Sequence, residues 1–149
     1  MSIFFVYSEN YRILCSKLRI QVMKKEKFHI EFVFDKASKN SLWDYFSTAA
    51  GLAEWFADFV VVDGKLYSFQ WKNYLNEAEV IGIIPYNFIR FHWLEDENPD
   101  TFFEFRLQKI ELTGGVTLEI TDFAEEKEKA DAVALWETQI KTLKRALGL

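Results

Sequence analysis

The C-terminal stretch constrains the fold more than any other part of the chain. Val133, Trp136, Ile140, Leu143 and Leu147 recur at spacings of three and four residues, giving one apolar stripe on a helix predicted from about Glu125 to Leu147. Glu125, Glu126, Glu128 and Asp131 crowd its first turns and Lys141, Lys144 and Arg145 its last, the order that complements the helix dipole. A stripe of that length needs an apolar face to cover it. What precedes it forms strands.

Phe28, Ile30, Phe32 and Phe34 alternate with Lys27, His29, Glu31 and Val33, a half-buried strand. Ser38 is placed to cap a helix through Leu42, Trp43, Tyr45 and Phe46, and a second short helix after Ala49 carries Leu52, Trp55 and Phe56. Strands then follow at short intervals: Phe59 to Val62, an Asp63-Gly64 hairpin, Lys65 to Trp71, a turn over Asn73 to Asn76, and Glu77 to Ile84. After a turn at Pro85 to Asn87 come Phe88 to Leu94, an acidic loop from Glu95 to Asp100, Thr101 to Leu112, a Thr113-Gly114-Gly115 turn and Val116 to Phe123. Strands joined by hairpins make an antiparallel meander. Such a sheet, curved around one long C-terminal helix, is a two-layer α+β fold of about six to seven strands, with two short helices after the first strand.

Composition removes several functions. The formal charge of −5 lacks the basic footprint of a nucleic-acid binder. One cysteine, Cys15, leaves no internal disulfide, and two histidines exclude a histidine-rich zinc site. No apolar run reaches the roughly 20 residues of a membrane span. Residues 1–22 differ from the rest: they carry +2 of formal charge against −7 for the remainder, and the break ends at Met23. Two readings fit, a true translation start at Met23 with residues 1–22 as a spurious leader, or an added strand or helix covering a sheet edge. The domain proper is therefore drawn over residues 23–149.

Three segments in this order carry a family resemblance: Gly51-Leu52-Ala53-Glu54-Trp55-Phe56-Ala57-Asp58, Arg90-Phe91-His92-Trp93, and Leu118-Glu119-Ile120-Thr121-Asp122-Phe123. From about Lys25 to Gly148 the chain resembles the helix-grip superfamily of START domains, birch-pollen-allergen-like proteins and polyketide cyclases. It is most similar there to the bacterial START-like branch related to the activator of the heat-shock ATPase. The resemblance implies a cavity between long helix and concave sheet, used for lipids, sterols or aromatic metabolites; the expected location is the cytoplasm, and no cofactor is expected. It implies no single reaction.

Aromatic residues make up 17% of the chain, so the inward face can either fill a core or line a cavity. Strand alternation turns Phe69, Trp71, Val80, Phe91, Trp93, Phe103, Phe105, Leu118 and Ile120 inward, with Trp55, Phe56, Trp136 and Ile140 closing from the helices. A small lipophilic ligand is the expected occupant. A protein partner or homodimer, met through exposed aromatics around Trp55 or Tyr74, is the alternative.

Asp122 shares the parity of Leu118 and Ile120. Turned inward, it would line the cavity and bind a polar ligand group or act as the carboxylate of a cyclase or hydrolase; otherwise it serves as a cap or strand-end group. Asp58 has the same ambiguity. His92 and Arg90 fall opposite Glu104 and Arg106 on the other face, a solvated charge ladder rather than a catalytic site, and His29 is exposed. Asp96-x-Asn98-x-Asp100 opens like a calcium loop, but Thr101 and Leu107 stand where glycine and glutamate are required. No metal and no nucleophile motif are expected.

Overall fold

A computed structural model describes residues 24–149; Cys15, the leader and the boundary at Met23 lie outside them. The first strand, β1 (Lys25–Phe34), runs into α1 (Lys39–Ser47), which begins at a capping box. Ser38 Oγ accepts from the Ser41 N–H at 3.1 Å, and Ser41 Oγ accepts from the Ser38 N–H at 3.1 Å. Thr48 ends α1 and starts α2 (Ala49–Ala53): its hydroxyl donates to the Asp44 carbonyl at 2.8 Å and accepts from the Gly51 N–H at 3.0 Å. The sharp join presses α2 onto α1 at Gly51, where a Cβ would lie 1.9 Å from the Asp44 carbonyl oxygen.

Trp55 and Phe56 were predicted in the second helix, but α2 stops at Ala53. They follow in a turn whose N–H groups from Trp55, Phe56 and Ala57 converge on the Leu52 carbonyl. That turn drives both rings into the interior.

Six strands follow, β2 (Phe59–Asp63), β3 (Leu66–Trp71), β4 (Tyr74–Ile84), β5 (Phe88–Trp93), β6 (Phe103–Lys109) and β7 (Val116–Glu125). They form an antiparallel meander in the order β7-β6-β5-β4-β3-β2, and β1 pairs beside β7. A turn over Glu126–Glu128 leads into the long helix α3 (Lys129–Ala146). The α+β architecture is the one the hydrophobic pattern predicts.

Several boundaries differ from the sequence reading, four of them for a clear local reason. Asp63 pairs with Leu66, so the first hairpin loop is Gly64-Lys65, with Gly64 at φ +60°. Trp71 pairs with Tyr74, so the next turn is Lys72-Asn73, and Asn76 is a buried member of β4. β6 ends at Lys109 because the Ile110 N–H turns to the Gly115 carbonyl, which leaves Leu112 fully exposed. Glu125 stays in β7, paired with Lys25, and so postpones the helix to Lys129.

The core lies between the concave sheet face and the helices. Trp136, Ile140 and Leu143 of α3 are buried, as are Leu42, Trp43 and Phe46 of α1; Val133 and Leu147 at the ends of the stripe are half-buried.

Candidate functional site

Phe56 stands at the centre of the ring cluster. Its ring meets those of Phe69 (5.0 Å between centroids), Trp55 (5.5 Å), Trp71 (5.7 Å), Phe103 (5.8 Å), Trp136 (5.9 Å) and Phe105 (6.2 Å). Phe91 stacks on Phe103 at 4.9 Å, and Trp93 on Phe103 at 4.8 Å. All the inward-facing residues read from the sequence, Ile120 and Ile140 included, are buried in this cluster except Trp93, which is half-buried. Rings at these separations are in contact, so the space between sheet and α3 is occupied where Phe56 sits.

Room for a ligand lies at the margin. An open cleft of about 290 Å³ runs between α3 and the segment from Ala53 to Asp58, lined also by Trp71, Leu135, Gln139 and Thr142. Two donors close its floor: the Trp71 indole N–H donates to the Phe56 carbonyl at 2.9 Å, and Gln139 Nε2 donates to the same oxygen at 3.3 Å. Gln139 Oε1 is buried with no hydrogen-bond partner. Sequence reasoning missed Leu135, Gln139 and Thr142. They flank the apolar stripe of α3, and only the position of the turn after α2 gives them a role.

Asp122 is neither a cap nor a solvent-facing group. It is buried on β7, where Oδ2 accepts from the Trp136 indole N–H at 2.9 Å and Oδ1 from the Phe123 N–H at 2.7 Å. Burial pushes its carboxyl up to about 7, against the pull of those two bonds and of Lys25. It borders a void of only about 40 Å³ shared with Lys25, Asp96, Thr101 and Glu125. That space suits one or two waters rather than a substrate. Burial also opposes ionisation of Asp96, but the Lys25 ammonium at 3.0 Å, with donors from Thr101 and the Asn98 N–H, holds its carboxyl below the usual range. Asp96 and Asn98 spend their remaining oxygens on the N–H groups of Asn98 and Asp100. Among the described residues no group of acidic, histidine or cysteine side chains is arranged to hold a metal ion. Asp58 is exposed at the rim of the α3 cleft.

The convex face corrects one expectation. Arg90 and Arg106 bracket Glu104 at 2.9 and 3.2 Å, as the ladder predicts, yet Glu104 is buried rather than solvated. Arg90 is itself packed over the Phe102 ring at 4.0 Å, which helps keep water from the carboxylate. His92 is half-buried, its Nδ1 2.8 Å from the Thr101 carbonyl oxygen; His29 is exposed beside the Thr121 hydroxyl at 2.8 Å. Trp55 is buried and Tyr74 half-buried, so neither supplies the exposed aromatic surface expected of an interaction site.

A seven-stranded curved antiparallel sheet closed by one long C-terminal helix, with short helices after the first strand, is the helix-grip architecture. The family model for the START-like superfamily domain matches residues 22–149, and the chain belongs to that superfamily. The Bacteroides fragilis protein BfR322 shares 45% identity over 85% of this chain and 94% of its own, with a TM-score of 0.62. The Aha1 dimer from Colwellia psychrerythraea superposes with a TM-score of 0.68 at 18% identity, covering 82% of this chain and 96% of its own. DynU16, a protein of the dynemicin biosynthetic locus, has a TM-score of 0.69 at 17% identity; 84% of this chain covers 48% of DynU16. These last two likenesses concern the fold. No curated protein matches the chain. No helix among the described residues is long and apolar enough to cross a membrane.

Proposed function

We propose that the domain binds a small lipophilic molecule without transforming it, and that the molecule seats in the cleft between α3 and the turn from Ala53 to Asp58. The carrying observation is the join of that cleft to the ring cluster: about 290 Å³ of open space has Phe56, Trp55 and Trp71 for its floor. Its size falls just below the range of small-molecule sites, roughly 300 to 1,000 Å³, and so suits a small ligand. The unpaired Gln139 Oε1 supports the reading, since buried polar atoms in native proteins ordinarily have partners. Native mass spectrometry of gently purified protein, before and after organic extraction, tests it. A bound mass lost on extraction is expected; a bare chain from native and recombinant sources alike would overturn the reading.

The interaction-module reading keeps one observation in its favour. Phe59 and Val61 of edge strand β2 are 68% and 65% exposed, and Leu75 of β4, across Gln70 of β3 from Phe59, is exposed as well. A bare apolar edge is a surface for strand pairing, and a second copy of the chain is the simplest partner. Sedimentation of the parent and of Val61→Lys decides it: a dimer that the substitution dissolves supports the reading, and a monomeric parent removes it.

A further inference from the structure

The lining of the α3 cleft is one-sided in charge. Its indole donors are spent, Trp55 Nε1–H on the Tyr45 carbonyl at 2.7 Å and Trp71 Nε1–H on the Phe56 carbonyl at 2.9 Å. Gln139 Nε2 donates to that carbonyl too, which fixes the amide's orientation, because turning it over would set two carbonyl oxygens face to face. The Thr142 hydroxyl turns to its own helix, donating to the Thr138 carbonyl at 3.4 Å. The groups that can only accept are the exposed carboxylates of Glu54 and Asp58 at the rim, while Gln139 keeps one N–H beside its buried, unpartnered Oε1. Among the described residues, no lysine, arginine or histidine lines the cleft.

The geometry points to a protonated amine carried on an apolar body as the class of molecule this cleft takes, in preference to a carboxylate-headed lipid. The apolar body packs against Phe56, Trp71 and Leu135. The ammonium faces Glu54 and Asp58, where a carboxylate would meet like charge with no cation to offset it. This inference rests on the cleft being the ligand site.

The experiment uses three matched probes, 4-phenylbutylamine, 4-phenylbutanol and 4-phenylbutanoate, titrated into the ¹⁵N-labelled chain at pH 7 and low salt. Binding is read from the indole N–H signals of Trp55 and Trp71 and the side-chain amide of Gln139. The amine should bind at least tenfold more tightly than the butanoate, with the alcohol between them. That preference should shrink several-fold at 0.5 M salt, as expected for charges at a rim. The double variant Glu54→Gln, Asp58→Asn should bring the amine to the level of the alcohol, which separates the rim from the overall negative charge of the chain. Both positions are exposed, so folding is preserved, and an unchanged melting temperature verifies it. Butanoate binding as tightly as the amine, with the alcohol also bound, would overturn the amine assignment and leave the cleft as a ligand site. Silence of all three reporters toward all three probes would overturn the cleft itself.

Discussion

Asp122→Asn should abolish most of the pH dependence of stability between pH 5 and pH 8. The parent carboxyl is enclosed by β7 and α3, with Lys25 of β1 and Asp96 of the β5–β6 loop facing it and Glu125 and Glu128 bordering the same void. Burial raises it to about 7 in the folded chain, whereas an unfolded aspartate titrates near ~3.9. Between those values the native state holds a proton that the unfolded chain has released. Stability is therefore greatest below the unfolded pKa and falls as pH rises toward 7. A shift of about three units corresponds to about 4 kcal/mol over the whole window, of which about 2.5 kcal/mol falls between pH 5 and pH 8.

Asparagine keeps the shape and an oxygen for the Trp136 N–H but sets its amide hydrogens against the Phe123 N–H, at a cost of about 1–2 kcal/mol that does not vary with pH. The two proteins should then be nearly equal at pH 5, and the variant more stable by about 2.5 kcal/mol at pH 8. Denaturant unfolding followed by tryptophan fluorescence at each pH measures the difference, in which all other titrating groups cancel. A gap that stays constant within about 0.5 kcal/mol across the range would refute the reasoning.

Three further outcomes follow from particular contacts. Gly51→Ala should cost at least about 3 kcal/mol by thermal unfolding, because its Cβ would meet backbone atoms of Asp44 and Tyr45 that cannot yield. Glu104→Ala should cost about 1–2 kcal/mol by denaturant unfolding, since Arg90 and Arg106 lose a charge-assisted partner but are exposed enough to turn to water. Gln139→Leu should leave the ligand-free protein as stable as the parent or more stable by up to about 1 kcal/mol, because it removes an unsatisfied acceptor along with one long hydrogen bond. In native mass spectrometry the same variant should emerge with less bound ligand than the parent.

Patterns of period two and of three and four carried most of the fold. Alternation in β3, β5, β6 and β7 turned Phe69, Phe91, Phe105 and Ile120 to the correct face, and the α3 stripe put Trp136 and Ile140 against them. Periodicity did not say where an element stops. Trp55 and Phe56 continue a helical spacing, yet the chain leaves the helix at Ala53, and that departure sets both the central ring and one wall of the cleft. The state of a polar side chain was harder still to read. Glu104 sits on the nominally solvated face and is buried because Arg90, Arg106 and Phe102 close over it; Asp122 is buried because Trp136 arrives from a helix that follows it in sequence. Gln139 carried no signal beyond its place beside the stripe, since its unpaired oxygen exists only once α3 lies against the turn.

The measurement that tests the ligand site most directly compares the amide and indole spectrum of the labelled protein as isolated, after organic extraction, and after the extract is added back. The indole signals of Trp55 and Trp71 and the side-chain amide of Gln139 should shift on extraction and return on addition, while Trp43, which does not line the cleft, holds its position. Three superimposable spectra, or shifts centred away from α3 and the turn after Ala53, would contradict a ligand in this cleft.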